Sequence, residues 1–166
     1  MCNLIYSVNR KGNVKDRKQD SVRSGEEINL QGIGAEVWLR ALHGLPLLLD
    51  DTSPRSYKED KDIILDGLHC EVKQTSYKTG AFFIKHKNWY GKERELLADV
   101  YILVVGSFPL YEYAKYIVRD NLLYQNPCGP TMHKRIGAVG FHVEQNCMHD
   151  TIKGAIKWNI PTTNGL

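Results

Sequence analysis

Apolar residues recur at helical spacing near the start of this chain, between Ser24 and Gly44. The stripe comprises Ile28, Leu30, Ile33, Val37, Trp38, Ala41 and Leu42. Ser24 is a suitable N-cap for the helix that this spacing predicts, and Gly44 is a suitable end. Gly32 and Gly34 weaken a helix interior. Either a neighbouring backbone passes close to them, or the helix begins only near Gln31.

The clearest strand pattern is a hairpin over 62–73. Asp66-Gly67 is a strong two-residue turn signal between two short runs with apolar residues at alternate positions. This turn sets a register in which Leu65 lies opposite Leu68 and Asp62 lies opposite Glu71. Other strands are predicted at 45–51, 81–86, 99–106 and 135–144, and other helices at 92–98, 110–124 and 150–158. The expected fold is α/β, with a mixed central sheet of four to six strands flanked by helices.

The length and composition indicate one globular domain. The chain has 166 residues, of which 42% are hydrophobic and 25% charged. It has no apolar run long enough to cross a membrane and no secretory signal, so we expect a cytoplasmic protein that is not secreted. Its four cysteines match no regular disulfide or zinc spacing, which indicates reduced thiols. They are Cys2, Cys70, Cys128 and Cys147.

Basic residues concentrate in an N-terminal arm, residues 1–24. Six basic residues but only two acids lie between Arg10 and Arg23, and the arm lacks hydrophobic periodicity. Such an arm is either a solvated tail or a contact for nucleic acid, in which case Lys15, Arg17 and Lys18 would bind phosphates.

A second basic stretch, residues 85–90, mixes bases with aromatic residues. Lys85, Lys87 and Trp89 are its candidate nucleic-acid contacts, because surfaces that bind single strands combine these residue types. A solvated loop with one packing Trp fits the same pattern.

The hairpin separates into an apolar face and a charged face. The apolar face holds Ile63, Leu65, Leu68, Cys70 and Val72. The other face holds Asp62, Glu71 and Lys73, and the register makes Asp62 and Glu71 a close pair with Cα atoms about 4.5 Å apart. Two carboxylates in that position repel, and a hard divalent cation would compensate. Lys73 is then placed to orient a water or to stabilise charge on a phosphate. Glu-x-Lys alone is weak evidence, since an exposed sheet face often carries such a pair.

Asp62 followed by Glu71-Val72-Lys73 resembles the signature of the PD-(D/E)XK nuclease superfamily. This superfamily includes many restriction enzymes, Holliday-junction resolvases and phage exonucleases. The helix that precedes the hairpin has a glycine-rich part that ends at Glu36. It is similar to the family's first core helix, whose Glu often completes the active site. The resemblance covers about residues 31–106. Two features depart from the family pattern: Lys61 stands where the signature has Pro, and the interval between Asp62 and Glu71 is short.

The resemblance implies a single nuclease domain over 1–166, with a catalytic core at 31–106 and residues 107–166 completing the same domain. Mg²⁺ or Mn²⁺ would be bound by Asp62, Glu71 and the backbone carbonyl of Val72. Lys73 would orient the attacking water, and Glu36 would bind a further water or a second metal. The implied partner is DNA, and a homodimer is compatible with cutting both strands.

The sequence leaves four functions open. The preferred one is a Mg²⁺-dependent DNA endonuclease of restriction or phage type, and a Holliday-junction or other structure-specific resolvase is the alternative within the same family. A non-catalytic nucleic-acid-binding module is the alternative from another class. A zinc-stabilised binding domain is a more distant one, because its candidate ligands lack the tight spacing of zinc sites. Those ligands are Cys128, His133, His142, Cys147 and His149.

Overall fold

A computed structural model of the chain describes residues 25–47, 63–85, 98–134 and 137–157. The helices are α1 (Gly25–Leu42), α2 (Arg119–Tyr124) and α3 (Ile152–Lys157), with a short 3₁₀ turn at Gln145–Cys147. The strands are β1 (Ile63–Leu65), β2 (Leu68–Thr75), β3 (Ala81–Lys85), β4 (Val100–Ser107), β5 (Leu110–Val118), β6 (Thr131–His133) and β7 (Ala138–Glu144). The protein is therefore mixed α/β, as the sequence predicts.

The larger sheet has four strands in the order β1-β2-β4-β5. β2 and β4 are parallel, whereas the β1–β2 and β4–β5 pairs are antiparallel. β4 lies between two neighbours and is buried along all but its last residue. Burial on both faces explains why its sequence is an almost continuous apolar run rather than an alternating one.

The β1–β2 hairpin has the register that its turn predicts. Ile63 pairs with Cys70, Ile64 with His69, and Leu65 with Leu68. Asp66 and Gly67 both have positive φ, 50° and 79°, which is the backbone of a type I′ turn and explains the Asp-Gly sequence. The predicted hairpin is confirmed over these three pairs.

Helix α1 runs without interruption through both of its interior glycines. Ala35 and Leu39 are fully buried against the apolar face of the hairpin. A Cβ at Gly34 would lie 2.5 Å from the Tyr111 hydroxyl and 2.8 Å from the Phe108 ring, so this glycine makes room for the β4–β5 connection. A close neighbour thus explains Gly34, although the neighbour is a side chain rather than the expected backbone. Gly32 faces open space.

The second sheet has three antiparallel strands in the order β3-β7-β6. Its inner side packs on the face of the larger sheet that α1 does not cover, with Phe82 and Phe141 against Leu103 and Ile117. The expected mixed sheet with flanking helices is present, but it is accompanied by a second sheet that was not predicted. Helices α1 and α3 cover one face, and the second sheet covers the other together with Leu122 of α2.

Residues 110–124 differ most from the prediction, because their apolar spacing predicts one helix. Residues Leu110–Val118 form strand β5, and only Arg119–Tyr124 are helical. The spacing of Tyr113 and Ile117 fits a strand as well as a helix, since both lie on one face of β5 while Tyr116 and Val118 lie on the other. The Tyr- and Ile-rich composition is also typical of strands.

Smaller differences concern short segments. Leu45–Leu47, the described part of the expected strand at 45–51, is not a strand, and β6 was not expected. Residues 92–97 of an expected helix lie outside the described residues, and Ala98 is not helical. The last helix, α3, lies within the expected range. None of the helices in the described ranges has the length and hydropathy needed to cross a membrane.

Candidate active site

Strand β2 presents Glu71 and Lys73 on the face that is turned toward the second sheet. Their neighbours on β4 are Tyr101 and Leu103, both almost completely buried. Val72 points the other way into the core beneath α1. The alternation of β2 thus separates the charged pair from the apolar residues, as the hairpin pattern predicts.

Glu71 is a buried carboxylate held by one cation. Its side chain is 7% exposed, and one of its oxygens forms an ion pair with the Lys73 ammonium, whose side chain is 31% exposed. Burying a carboxylate is costly unless it is paired and hydrogen-bonded. Lys73 therefore supplies the charged partner of the buried Glu71 while keeping part of its own surface in contact with solvent.

Lys73 also lines an open cleft of about 290 Å³ between β2 and β3. The two strands are consecutive in the chain but belong to different sheets, so they diverge and leave this space. Phe83 and Gln145 line the opposite wall, and Leu103 lines the cleft beside Lys73. The cleft gives a ligand access to the cation of the pair.

The structure says less about the other residues that were predicted to bind metal. Asp62 lies outside the described residues, so its position opposite Glu71 stays a prediction. Glu36 is half-buried on α1, and α1 packs on the opposite face of the sheet from Glu71. In the described ranges there is no group of three or more His, Cys, Asp and Glu side chains able to hold a metal ion. Among the described residues Glu71 is thus the one buried carboxylate, and the proposed Mg²⁺ site includes Asp62 as its second.

Two polar residues near Glu71, Asp99 and His69, have no site role in the sequence-based prediction. The His69 backbone N–H donates to Asp99 Oδ2 at 2.9 Å, and the Asp99 N–H donates to the His69 carbonyl at 2.8 Å. These bonds fix the start of the parallel β2–β4 pairing. His69 lies two residues before Glu71 on the same face of β2, and its buried Nδ1 has no hydrogen-bond partner. The sequence feature that could have identified Asp99 is its position directly before a buried strand.

Gln74 and Gln145 stabilise the surroundings of the cleft. Gln74 is directed away from the Glu71 face, as strand alternation predicts, and donates to the Gly106 carbonyl at 2.5 Å. Gln145 is 6% exposed and donates to the Tyr77 carbonyl at 3.1 Å, whereas its Oε1 has no partner. Gln145 was not predicted, because it lies more than 70 residues from Lys73 in the sequence.

Only part of the predicted nucleic-acid surface is described. Lys85 is exposed at the end of β3, whereas Lys87, Trp89 and the whole N-terminal arm lie outside the described residues. Of the suggested zinc ligands, His133 and His142 come together, but as parallel rings with centroids 5.4 Å apart. Cys70, Cys128 and Cys147 form no disulfide bonds.

No family model, curated protein or solved structure matches this chain. The resemblance to the PD-(D/E)XK superfamily therefore rests on Glu71, Val72 and Lys73 with Asp62, and on the hairpin that carries them.

Proposed function

We propose that this protein is a metal-dependent DNA nuclease with a restriction endonuclease-like core. The observation that carries the proposal is the buried Glu71 carboxylate, ion-paired with Lys73 at the wall of an open cleft. The neighbouring positions on the same face are Tyr101 and Leu103, so an apolar side chain would suit position 71 better for stability alone. Replacing a buried ion pair by packed apolar residues is often neutral or stabilising, which favours a functional reason for keeping it.

The order of the elements gives further support. A helix is followed by a hairpin whose second strand carries Glu-Val-Lys, and that strand pairs in parallel with the buried strand β4. The resemblance implies the order helix, strand, hairpin, helix, strand, helix, of which the first helix, the hairpin and the buried strand β4 occur in sequence among the described residues. The second sheet, which covers the Glu71 face, is an addition that the resemblance does not imply.

Glu71, Asp62 and the Val72 carbonyl are the oxygen ligands proposed for Mg²⁺ or Mn²⁺. A bound Mg²⁺ would lower the pKa of a water and offset charge on the scissile phosphate. Glu71 has two oxygens, so one can hold Lys73 while the other is available to a cation. The ammonium of Lys73, positioned by this ion pair, orients the attacking water and offsets negative charge at the phosphate. Glu36 lies on α1 at the opposite face of the sheet from Glu71, so its proposed role in holding a further water or a second metal is tested separately by Glu36→Gln.

The test is cleavage of linear, circular, single-stranded and branched DNA with Mg²⁺, Mn²⁺ or excess EDTA. We expect cutting only with the metals, and we expect Glu71→Gln and Lys73→Met to lose it. The matched controls are Glu112→Gln and Lys78→Met, because Lys78 and Glu112 form an ion pair of the same residue types at the surface. Those two variants should cut like the parent protein.

Two results would overturn the proposal. Undiminished cutting in EDTA would remove the metal from the mechanism. Metal-independent binding of DNA with no cutting of any substrate would instead identify a non-catalytic binding module. The substrate panel also separates an endonuclease that cuts linear and circular duplexes from a resolvase that cuts only branched DNA. The proposed homodimer is tested by measuring the mass of the protein in solution.

A further inference from the structure

Three aromatic rings meet on the outer face of the second sheet, the face directed away from the larger sheet. Phe83 of β3 and His142 of β7 are directly paired neighbours, with ring centroids 4.8 Å apart. His133 of β6 completes the group, 5.1 Å from Phe83 and nearly parallel to His142, with 12° between the two imidazole planes. These three half-buried residues are called the ring platform.

Gly140 allows the ring platform to lie close to the sheet. It is the β7 residue between the inward-facing Val139 and Phe141, and a Cβ there would lie 2.6 Å from the Phe83 ring. The Phe83 ring therefore covers Gly140, and any larger residue would displace it. The consequence is a cluster of aromatic rings built on regular strands rather than on a loop, in which the Phe83 ring is inclined by 52° to His142 and by 64° to His133.

Positive charge lies at the border of the ring platform. Lys85 follows Phe83 by two residues on the same side of β3, and Lys134 follows His133; both are exposed. Glu144 is the acid on the same side of β7, beyond His142 and away from Lys85. Burial and the neighbouring His133 lower the pKa of His142, so its ring is mainly neutral near pH 7. Aromatic rings bordered by ammonium groups suit a ligand that combines flat bases with phosphates.

The ring platform is continuous with the candidate active site. Phe83 belongs to the platform and also lines the cleft that contains Lys73. The Phe83 ring lies on the outer face of β3, which is an edge strand of the second sheet, so a nucleotide chain whose phosphate lies at Lys73 would reach this ring by passing around that edge. Single-stranded nucleic acids are bound in this manner, by bases stacking on aromatic side chains along a basic surface.

We propose that the ring platform binds unpaired bases of the DNA substrate, which stack on Phe83 and His142 while the adjoining phosphate lies at Lys73. The inference rests on the proposed nuclease function and extends it by naming the substrate class. That class is DNA with an unpaired segment, such as a single strand, a flap or a branch, rather than an uninterrupted duplex. Duplex bases are stacked on each other and cannot cover the rings without first being unstacked.

The test measures binding of a labelled oligothymidine and of a duplex of equal length by fluorescence anisotropy, in EDTA to prevent cutting. The parent protein should prefer the single strand. Phe83→Leu and His142→Leu should each weaken single-strand binding by about 5- to 100-fold, the usual effect of losing one base–aromatic stack. Phe83→Trp should retain binding, because it keeps a stacking surface. Tyr77→Leu is the matched control, since Tyr77 is an exposed aromatic residue outside the platform.

The outcomes separate the ring platform from the nuclease proposal. Unchanged single-strand binding in correctly folded Phe83→Leu and His142→Leu would overturn the platform, even if metal-dependent cutting persisted. Loss of self-association in Phe83→Leu, measured by sedimentation, would also overturn it by identifying an interface between two copies of the chain. Platform-dependent binding without any cutting would support the platform while overturning the nuclease. Melting temperatures of all variants show whether a loss of binding reflects unfolding.

Discussion

Replacing Lys73 with Met tests how strongly the ion pair with Lys73 stabilises the buried Glu71 carboxylate. The substitution keeps most of the aliphatic length of the side chain but leaves a carboxylate that is 7% exposed without its cation. Breaking a fully buried ion pair costs about 3–5 kcal/mol. Lys73 is 31% exposed, so water reaches the pair and reduces the expected loss of unfolding free energy to about 1–3 kcal/mol.

Glu71→Gln should cost less than Lys73→Met. It removes the charge that needs a partner, and Lys73 can turn further into solvent, so we expect a loss of about 1 kcal/mol or less. The double variant should be more stable than Lys73→Met alone, because no unpaired charge remains. For a domain of this size each kcal/mol changes the melting temperature by about 2–4 °C.

The assay is thermal or urea unfolding of the parent, the two single variants and the double variant without metal. Lys78→Met is the control, and it should melt like the parent because its ion pair with Glu112 is exposed to solvent. The reasoning fails if Lys73→Met is no more destabilising than Glu71→Gln, or if the two effects simply add. Mg²⁺ at ten times its dissociation constant should stabilise the parent by about 1.4 kcal/mol and should not stabilise Glu71→Gln.

Four other predictions use different parts of the chain. Asp62→Asn should lower the cleavage rate by orders of magnitude. Asp66→Asn should retain most of the cleavage activity, because Asn tolerates the positive φ of the turn. The reverse result would show that the turn residue is the metal ligand. Glu36→Gln should reduce turnover with little change in melting temperature, and unchanged turnover would make Glu36 a surface acid. Replacing the three candidate phosphate contacts of the N-terminal arm with Ala should flatten the salt dependence of DNA binding, and an unchanged slope would leave the arm a solvated tail. Because the pKa of His142 is lowered from 6.5, the unfolded chain takes up this proton first as the pH falls, so stability should decrease from about pH 7 downward. The decrease should be smaller in His142→Gln, as measured by melting temperature against pH.

The hairpin was predictable because its signals are local. Asp66-Gly67 selects one turn type, and that turn sets which residues face each other on either side of it. Because successive side chains alternate between the two faces of a strand, this register also predicts the face on which Glu71 and Lys73 lie. The same local reasoning identified α1 and β4, whose apolar patterns are long.

Long-range packing was not predictable from the same signals. Nothing in residues 81–85 indicates that β3 leaves the larger sheet and pairs with β7, some 60 residues later, so the second sheet was missed. The segment 110–118 was misassigned because its apolar residues fit both periods and only pairing with β4 decides between them. The ring platform depends on that second sheet, which is why Phe83 and His142 were not grouped from the sequence.

The parallel pairing of β2 with β4 has a consequence for the order of folding. The β1–β2 and β4–β5 pairs are each closed by a turn of two residues, whereas the pairing of Cys70 with Val100 closes a loop of about 30 residues. Closing that longer loop costs about 2 kcal/mol more in chain entropy by the logarithmic dependence on length. The two hairpins should therefore form early and join late, so that substitutions at Cys70 and Val100 change the unfolding rate more than those at the hairpin turns. Until the hairpins join, the apolar edge of β4 stays open to other chains, and this late stage is where aggregation should begin.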